Sequence, residues 1–438
     1  MTAKNRQNKP EREPSIIIAL QRKGVPFWEV EDNLDELEQL IDTAGGVCLK
    51  RIVQDLATPN ASTYIGKGKV EEVARLVSDM KIKLVVFDDD LTPAQVRNLE
   101  KKIDAKILDR SGVILDIFIN RARTREARIQ VETAQLQYLL PRLTRRWQHL
   151  SRQVGGIGTR RGPGETQLEV DRRVIGKRLS QLRVELKKIE KARATRRKKR
   201  SDIFKVAIIG YTNAGKSTLL NALTKAGVFV EDRLFATLDS TVRAFRLPTQ
   251  RKVLLIDTIG FIRKLPVDLV ASFRSTLEES RQADLFLHVV DVSHPHWEEQ
   301  LARTEEIMKD LELEKTPQVL IFNKVDRMED PVLLDGLKRQ YPESLFISAL
   351  RKIRLYEIPE RIEQFAAVRW ERGTRVFRPD EIERIETFEK TVTVLGRTFK
   401  DGMIYVDFMI MVRDGGDKVV SDANQTVDAD SSGLSSEY

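Results

Sequence analysis

A glycine-rich phosphate loop is the residue pattern with the clearest chemistry in this chain. Residues 210–217 spell G-Y-T-N-A-G-K-S and directly follow the apolar run 206–209. In such a loop backbone N–H groups turn towards a triphosphate, Lys216 neutralises the β- and γ-phosphate oxygens, and the Ser217 hydroxyl binds Mg²⁺. The strand-like run before it and the helix-like run after it favour a nucleoside triphosphate site over a chance match. The predicted nucleotide-binding residues here are Gly210, Asn213, Ala214, Gly215, Lys216 and Ser217.

A second pattern, N-K-V-D at 323–326, predicts which base is bound. It follows an apolar run at the carboxyl end of a predicted parallel strand, where such sheets bind ligands. The Asp326 carboxylate only accepts hydrogen bonds, so it pairs with the N1–H and amine of guanine and not with adenine. Asn323 is expected to connect this loop to the phosphate loop. The sequence therefore predicts GTP rather than ATP, bound through Asn323, Lys324, Val325, Asp326, Ser348 and Ala349.

A D-x-x-G pattern lies between these two motifs. Asp257 would hold Mg²⁺ through water, and the Gly260 N–H would contact the γ-phosphate. Upstream, Thr237 offers a hydroxyl that closes on Mg²⁺ only when the γ-phosphate is present, with Thr241 as the alternative. We predict Lys216, Thr237 and Gly260 as catalytic residues and Ser217, Thr237 and Asp257 as the magnesium site. Further predicted nucleotide contacts are Phe235, Ala236, Thr237, Leu238, Asp239, Asp257, Thr258, Ile259 and Gly260.

Phe261 stands where many signalling GTPases have a glutamine that orients the attacking water. A phenyl ring cannot orient water. We therefore expect slow intrinsic hydrolysis, with the missing group supplied by a partner, a switch loop or a bound cation.

Length and composition limit the classes of protein to which the chain can belong. The 438 residues are enough for two to four domains, and 41% of them are hydrophobic. The single cysteine, Cys48, permits no internal disulfide, which fits a reducing compartment. Apolar runs stay well below the roughly 20 residues of a membrane span. We therefore expect a cytoplasmic protein without a membrane span.

The positive charge is concentrated in residues 121–200, which contain 24 lysines and arginines but only seven acidic residues. Two apolar stripes in this segment have the 4-3-4-3 spacing of coiled coils, so we predict an antiparallel helical hairpin. The stripes are Leu136, Leu140, Leu143, Trp147 and Leu150 in the first helix, and Ile175, Leu179, Leu182, Leu186 and Ile189 in the second.

The predicted tip of the hairpin, residues 155–164, is rich in glycine and arginine. Small residues allow close approach to another backbone, and guanidinium groups pair with phosphates and stack on bases, so the tip favours RNA binding. A solvated, basic hairpin with a flexible end is the alternative. The predicted RNA-binding residues are Gly155, Gly156, Gly158, Arg160, Arg161, Gly162 and Gly164.

Residues 15–120 alternate strand-like and helix-like runs and predict a small α/β domain. The G-K-G-K run at 66–69 resembles a phosphate loop but lacks the spacing of any phosphate-binding fingerprint, so a loop at a helix start is favoured. We interpret the three aspartates 88–90 as a solvated strand end with a helix cap rather than a metal site. His294 and His296 are likewise assigned to a helix start.

The order of these motifs resembles HflX, a bacterial family of ribosome-associated GTPases. The similarity covers about residues 15–365. It is carried by G-K-G-K at 66–69, L-D-R at 108–110, G-G-I-G at 155–158, G-P-G-E-T-Q-L-E at 162–169 and F-A-T-L-D at 235–239.

The resemblance implies an α/β multidomain fold with an N-terminal α/β domain (15–120), a long antiparallel helical hairpin (121–200) and a Ras-like P-loop GTPase domain (201–365). Strand-like runs further on predict a small C-terminal α+β domain at 366–413. Residues 1–14 and 414–438 are expected to be disordered.

The resemblance also implies a function. Family members bind the large ribosomal subunit and ribosomal RNA, split stalled or idle ribosomes under stress, and bind GTP or GDP with Mg²⁺. By analogy with related GTPases, Asn213 suggests K⁺ as a catalytic cation, a hypothesis that equal hydrolysis rates in Na⁺ and K⁺ would dismiss. We expect a monomeric, ribosome-associated enzyme stimulated by the large subunit, and leave open a peripheral association with the membrane.

The sequence departs from the family pattern at two places. S-T-V-R at 240–243 stands where P-T-T-R is more usual, and 350–354 lacks the usual glycines. Two rival functions stay open: an ATP-dependent RNA-remodelling factor with a second nucleotide site in the N-terminal domain, and a ribosome-assembly or ribosome-binding factor with weak GTPase activity.

Overall fold

The fold is described from a computed structural model of the chain. The described residues are 12–143, 167–198, 203–224, 234–235, 241–264, 281–328, 330–368, 370–389 and 392–411.

The N-terminal domain is a parallel sheet covered by helices on both faces. Its strands are β1 (Glu13–Gln21), β2 (Gly46–Asp55), β3 (Leu84–Phe87) and β4 (Lys106–Asp109). They lie in the order β2-β1-β3-β4. Because β1 begins at Glu13, the prediction of disorder through residue 14 is wrong at its last two positions. The helices are α1 (Phe27–Ala44), α2 (Lys67–Asp79), α3 (Pro93–Glu100) and α4 (Arg110–Arg121).

Strand β1 supplies both cores of this domain, since successive side chains of a strand point to opposite faces. Ile17 and Ala19 pack with residues of α1 and α4, including Leu34. Ile16 and Ile18 pack with residues of α2 and α3. Burial on both faces explains the uninterrupted apolar run of this strand.

The helical segment that follows packs as two helices, α5 (Arg125–Leu139) and α6 (Gln167–Lys198). Their apolar stripes share one cluster, and Arg178 donates to both carboxylate oxygens of Glu132, at 2.7 and 2.9 Å. The heptad stripe predicted one helix from Leu136 through Leu150, but α5 ends at Leu139 and a short 3₁₀ turn follows. Pro141 in that turn lacks the N–H that an α-helix requires. The predicted tip at 155–164 lies outside the described residues.

The G domain is a six-stranded sheet in the order β10-β9-β8-β5-β7-β6, in which the edge strand β6 alone is antiparallel to its neighbour. Its strands are β5 (Lys205–Gly210), β6 (Thr241–Arg246), β7 (Lys252–Asp257), β8 (Leu285–Asp291), β9 (Gln318–Asn323) and β10 (Leu345–Phe346). The helices with described bounds are α7 (Lys216–Thr224), α8 (Trp297–Asp310), α9 (Pro331–Gln340) and α10 (Glu357–Val368).

A small α+β unit follows the G domain. Strands β11 (Trp370–Phe377), β12 (Thr393–Lys400) and β13 (Met403–Met411) form an antiparallel sheet in the order β11-β13-β12, and helix α11 (Ile382–Glu389) precedes β12. The helix packs on the sheet through Phe388, whose ring meets Phe408 edge-on at 4.8 Å.

The observed architecture confirms the predicted α/β multidomain fold class with a P-loop GTPase domain; the limits of the domains stay predictions. Among the described residues, no helix combines the length and apolarity that crossing a bilayer requires.

The N-terminal domain and the G domain share one apolar cluster. Phe235, Ile259 and Ile262 of the G domain are buried together with residues of α1 and α4. The rings of Phe118 and Phe235 lie edge to face, 4.7 Å apart. Phe235 belongs to F-A-T-L-D and Ile259 to D-x-x-G, the two motifs predicted to respond to the γ-phosphate, so the N-terminal domain touches both.

Candidate nucleotide-binding site

Strand β5 and helix α7 hold the phosphate loop between them. Gly215 has a φ of +97°, and a Cβ at this position would lie 2.2 Å from Asn323 Nδ2, so only glycine fits. Asn213 also adopts a left-handed conformation, which asparagine tolerates better than most residues. Because α7 begins at Lys216, its first backbone N–H groups border the loop, as a phosphate site requires.

Lys216 is buried in this loop. Its ammonium donates to the backbone carbonyls of Gly210 at 3.1 Å and Tyr211 at 2.7 Å. Burial lowers the pKa of Lys216 to about 8, partly offset by the nearby Asp257 carboxylate. A cation kept dry in this way interacts strongly with an anion that enters the loop, as triphosphate binding requires.

Two oxygen ligands suited to Mg²⁺ come together at the end of β7. The Ser217 hydroxyl donates to Asp257 Oδ2 at 2.6 Å, and Asp257 is fully buried. A hydroxyl and a carboxylate at the edge of a phosphate loop are the hard oxygen donors that this ion prefers. The residues present therefore fit the predicted magnesium site. Thr237, its third predicted member, lies outside the described residues.

Gly260 lies directly against the phosphate loop. A Cβ at this position would lie 2.8 Å from Lys216 Nζ and from Thr212 Cα, so no side chain fits. The next residue, Phe261, forms a backbone bridge: its N–H donates to Gly210 at 3.1 Å and its carbonyl accepts from Thr212 at 2.7 Å. The Phe261 ring is buried in an apolar cluster, so it offers no polar group to a water molecule.

Three residues predicted to contact nucleotide direct their side chains elsewhere. The Thr258 hydroxyl donates to the Ile208 carbonyl at 2.7 Å inside the sheet. Ile259 and Phe235 belong to the apolar cluster between the domains. These three side chains face the protein interior, so a contact of these residues with nucleotide would be made through the backbone, and their assignment stays a prediction.

Asn323 connects the base-binding loop to the phosphate loop. Its side chain, 2% exposed, donates to the Ala214 carbonyl at 2.8 Å and accepts the Ala349 N–H at 2.9 Å. One amide group therefore fixes three loops that are far apart in sequence. Ser348 supports the third loop by accepting the Arg351 N–H at 3.0 Å.

The residues predicted to recognise guanine lie at the carboxyl end of β9. Lys324 has a left-handed backbone and pairs with Asp291 at 2.6 Å, which fixes its alkyl stem across the site. The Asp326 side chain is 17% exposed and lies 3.9 Å from Arg351 Nε. Val325 packs in an apolar cluster, so it can contact nucleotide only through its backbone. A carboxylate held here is suited to accept the two guanine donors.

A cleft of about 1060 Å³ opens between this site and the N-terminal domain. Asn213 and Lys324 line its G-domain wall, and α1 forms the opposite wall with Trp28, Asp32 and Glu36. Sequence reasoning missed this second wall. The run of acidic residues in α1 was a signal, but a solvated helix face gives the same pattern.

Ion pairs and a hydrogen bond join the two walls. The Tyr211 hydroxyl donates to Glu36, and the Arg263 guanidinium pairs with Asp32. Lys264 contacts Asp88 and, at 2.6 Å, Asp89.

The prediction that aspartates 88–90 form a solvated strand end is therefore wrong for Asp88 and Asp89, whereas Asp90 is exposed. Asp88 is 3% exposed and Asp89 pairs with Arg22 at 2.6 Å. Burial raises the pKa of Asp88, although Lys264 opposes that shift. Asp90 accepts the Ser111 hydroxyl. Protein cations or hydroxyls contact all three carboxylates.

His294 and His296 immediately precede α8, as predicted, and His296 stacks on Trp28 with ring centroids 4.2 Å apart. Within the described parts of the chain, no group of three or more His, Cys, Asp or Glu residues is arranged to hold a metal ion.

Several predicted site residues have no structural description. Ala236, Thr237, Leu238 and Asp239 of the switch segment, and Gly155, Gly156, Gly158, Arg160, Arg161, Gly162 and Gly164 of the tip, lie outside the described residues. Their roles stay predictions.

Comparison with protein families matches three consecutive segments of the chain. A model described as GTP-binding GTPase N-terminal matches residues 31–119, and one described as GTP-binding GTPase Middle Region matches 121–200. A third, described as 50S ribosome-binding GTPase, matches 205–324.

Whole-chain relatives are similar over most of their length. The GTPase HflX of Flavobacterium psychrophilum is 45% identical over 80% of this chain and 89% of its own. The GTPase HflX of Escherichia coli is 44% identical over 73% of this chain and 75% of its own. Among solved structures, a GTP-binding protein of Sulfolobus solfataricus in complex with GDP is 23% identical, with a TM-score of 0.44, over 81% of this chain and 99% of that one.

Proposed function

Because the chain belongs to the HflX family of GTPases and is a GTP hydrolase, we propose that it dissociates stalled or idle ribosomes under stress. In this proposal it binds the large ribosomal subunit through its N-terminal domain and basic hairpin, and GTP hydrolysis resets or releases it. The match of the G domain to a family described as 50S ribosome-binding GTPases supports the partner.

The observation that carries the proposal is the packing of the hairpin. The apolar stripes of α5 and α6 bury each other, so basic side chains are left on the outside. Such a surface binds the phosphate backbone of RNA whatever its sequence. The exposed cations of α6 include Arg172, Lys177, Arg183, Lys187 and Lys188.

The site supports hydrolysis of GTP that depends on a partner. Lys216 would neutralise the transferred phosphate, and Gly260 would donate its N–H to it. Ser217 and Asp257 would hold Mg²⁺, which would neutralise negative charge on the phosphates. Since the buried Phe261 ring cannot orient water, the isolated protein is expected to turn over slowly. The large subunit is the proposed source of stimulation, and K⁺ at Asn213 remains a hypothesis.

The experiment compares GTP turnover of the intact chain with and without purified large ribosomal subunits. A variant shortened in 155–164 is measured in parallel, with Lys338→Ala/Arg339→Ala as a control that removes two cations from α9 of the G domain. We expect strong stimulation in the intact chain and the control, and its loss in the shortened variant. Equal slow turnover in all cases would remove the ribosome as activator.

Two further variants separate the rival functions. Lys216→Ala should abolish GTP turnover. It should also abolish the release of subunits from whole ribosomes, which is measured by sedimentation. ATP turnover that survives Lys216→Ala would support a second nucleotide site in the N-terminal domain. Ribosome dissociation that survives both Lys216→Ala and Asp257→Ala would support a binding or assembly factor that does not need hydrolysis.

A further inference from the structure

Arg110 is a buried cation at the first position of α4. Its side chain is 1% exposed and pairs with two carboxylates, Glu36 of α1 and, at 2.6 Å, Asp88 after β3. Burial lowers the pKa of Arg110 to about 10, so the guanidinium is still charged at neutral pH. Because an unpaired buried charge is very costly, both carboxylates have to stay beside it.

The same two carboxylates contact the G domain next to the nucleotide site. Glu36 accepts the hydroxyl of Tyr211 from the phosphate loop. Asp88 accepts from Lys264, which follows the D-x-x-G motif. The Tyr211 hydroxyl also accepts the backbone N–H of Arg263 at 2.9 Å, so the two loops are connected to each other as well. Arg110 therefore joins two carboxylates that each hold a loop of the nucleotide site.

The preceding residue, Asp109, makes contacts towards the hairpin. It is fully buried and caps α4 by accepting the Gly112 N–H at 2.9 Å. The same carboxylate accepts the Tyr138 hydroxyl at 2.7 Å and the Arg142 guanidinium at 3.0 Å. Tyr138 lies in the last turn of α5 and Arg142 in the 3₁₀ turn that follows. One carboxylate thus holds this end of the first hairpin helix.

Packing around these contacts leaves little room for independent movement. A Cβ at Gly112 would lie 2.8 Å from the Tyr138 hydroxyl oxygen, and the Arg142 guanidinium lies 3.8 Å from the centre of the Tyr138 ring. Asp109 and Arg110 are adjacent, and both side chains are buried. A displacement of one is therefore transmitted to the other, since tightly packed interiors move between discrete arrangements rather than deforming gradually.

We propose that Asp109 and Arg110 are positioning residues. They couple the segment 261–264, whose arrangement depends on the bound nucleotide, to the base of the helical hairpin. The route runs from Lys264 through Asp88 to Arg110, and from Asp109 to Tyr138. It rests on the GTPase assignment and does not require that the hairpin partner be a ribosome.

The test measures hydrogen exchange in the full-length protein without ribosomes, once with GDP and once with a GTP analogue that is not hydrolysed. The amides of Arg125–Leu139 report on the hairpin base. In the wild type we expect their exchange rates to differ at least about fivefold between the two nucleotides, the lower end of typical allosteric coupling. Lys264→Met and Tyr138→Phe should each reduce that difference below about twofold.

Two variants serve as controls. Lys264→Arg keeps a cation beside Asp88 and should retain the nucleotide-dependent difference. Lys106→Met breaks an exposed ion pair with Asp116 in the same domain, outside the route, and should retain it too. Tyr138→Phe should bind GDP with wild-type affinity. A smaller difference in its exchange rates then cannot be caused by loss of bound nucleotide.

Absence of a difference in the wild type, or its persistence in Lys264→Met and Tyr138→Phe, would overturn the proposal. Loss in Lys264→Met alone would overturn the part assigned to Asp109. Since no ribosome is present, these outcomes are independent of whether the large subunit stimulates hydrolysis.

Discussion

Replacing Asn323 with alanine tests whether one amide holds the nucleotide site together. The change removes two buried hydrogen bonds, at 2.8 Å to the Ala214 carbonyl and at 2.9 Å from the Ala349 N–H. Each bond contributes about 1 kcal/mol net, and a buried partner left unsatisfied costs about 1–3 kcal/mol. We therefore expect the free energy of unfolding to fall by about 2–4 kcal/mol. GDP affinity should fall at least about tenfold, because the loops are no longer held in position before binding.

Asn98→Ala is the matched control, since Asn98 also makes two hydrogen bonds, to the Ser62 carbonyl at 3.0 Å and hydroxyl at 3.1 Å, but at an exposed position. Its expected cost is below about 0.5 kcal/mol, with no change in GDP affinity. The assays are denaturant unfolding and titration with a fluorescent GDP. If Asn323→Ala matched Asn98→Ala in both assays, the reasoning about the shared amide would be wrong.

Three further predictions concern the phosphate side of the site. Gly260→Ala should weaken binding of a GTP analogue at least about tenfold in a titration, because the new Cβ meets the Thr212 backbone at 2.8 Å. Gly176→Ala is the control: its new Cβ meets nothing within 4 Å, so the affinity for the GTP analogue should not change. Phe261→Gln should lower the free energy of unfolding by about 3 kcal/mol without faster GTP turnover, since it buries an amide in an apolar cluster. In nucleotide-free protein, Lys216 binds its proton less tightly when folded (pKa about 8) than its ordinary value of 10.5. The free energy of unfolding of the wild type should therefore rise between pH 8 and 10.5, by about 3 kcal/mol more than that of Lys216→Met. If the difference between the two proteins did not change with pH, the burial argument would be wrong.

The parts of the site that could be predicted from sequence are those written in contiguous residues. The phosphate loop, D-x-x-G and N-K-V-D each combine a strand end with a polar group, so local order alone brings Lys216, Asp257 and Asn323 to one edge of the sheet. The fold class followed in the same way from alternating strand-like and helix-like runs.

What could not be predicted depends on contacts between domains. The Asp88 carboxylate looked solvated because its partner Lys264 lies 176 residues further on. Nothing in the run 88–90 indicates that cation, and charge pairing leaves no periodic pattern in a sequence. The end of α5 has a different cause: the heptad stripe continues on both sides of Pro141 and predicts one helix, but proline lacks the N–H that an α-helix requires there.

Helix α1 has one further consequence for how the protein can move. One side of it is buried in the N-terminal core through residues such as Leu34, Leu37 and Ile41, while Asp32 and Glu36 contact the G domain. Because α1 is packed into this core, we expect the four-stranded domain to move together with it when these contacts loosen. Its 18 residues span about 27 Å, and a rotation of about 10° at one end displaces the other by about 5 Å. A loss of contacts at the γ-phosphate would thus become a movement of whole secondary-structure elements at the far side of the domain.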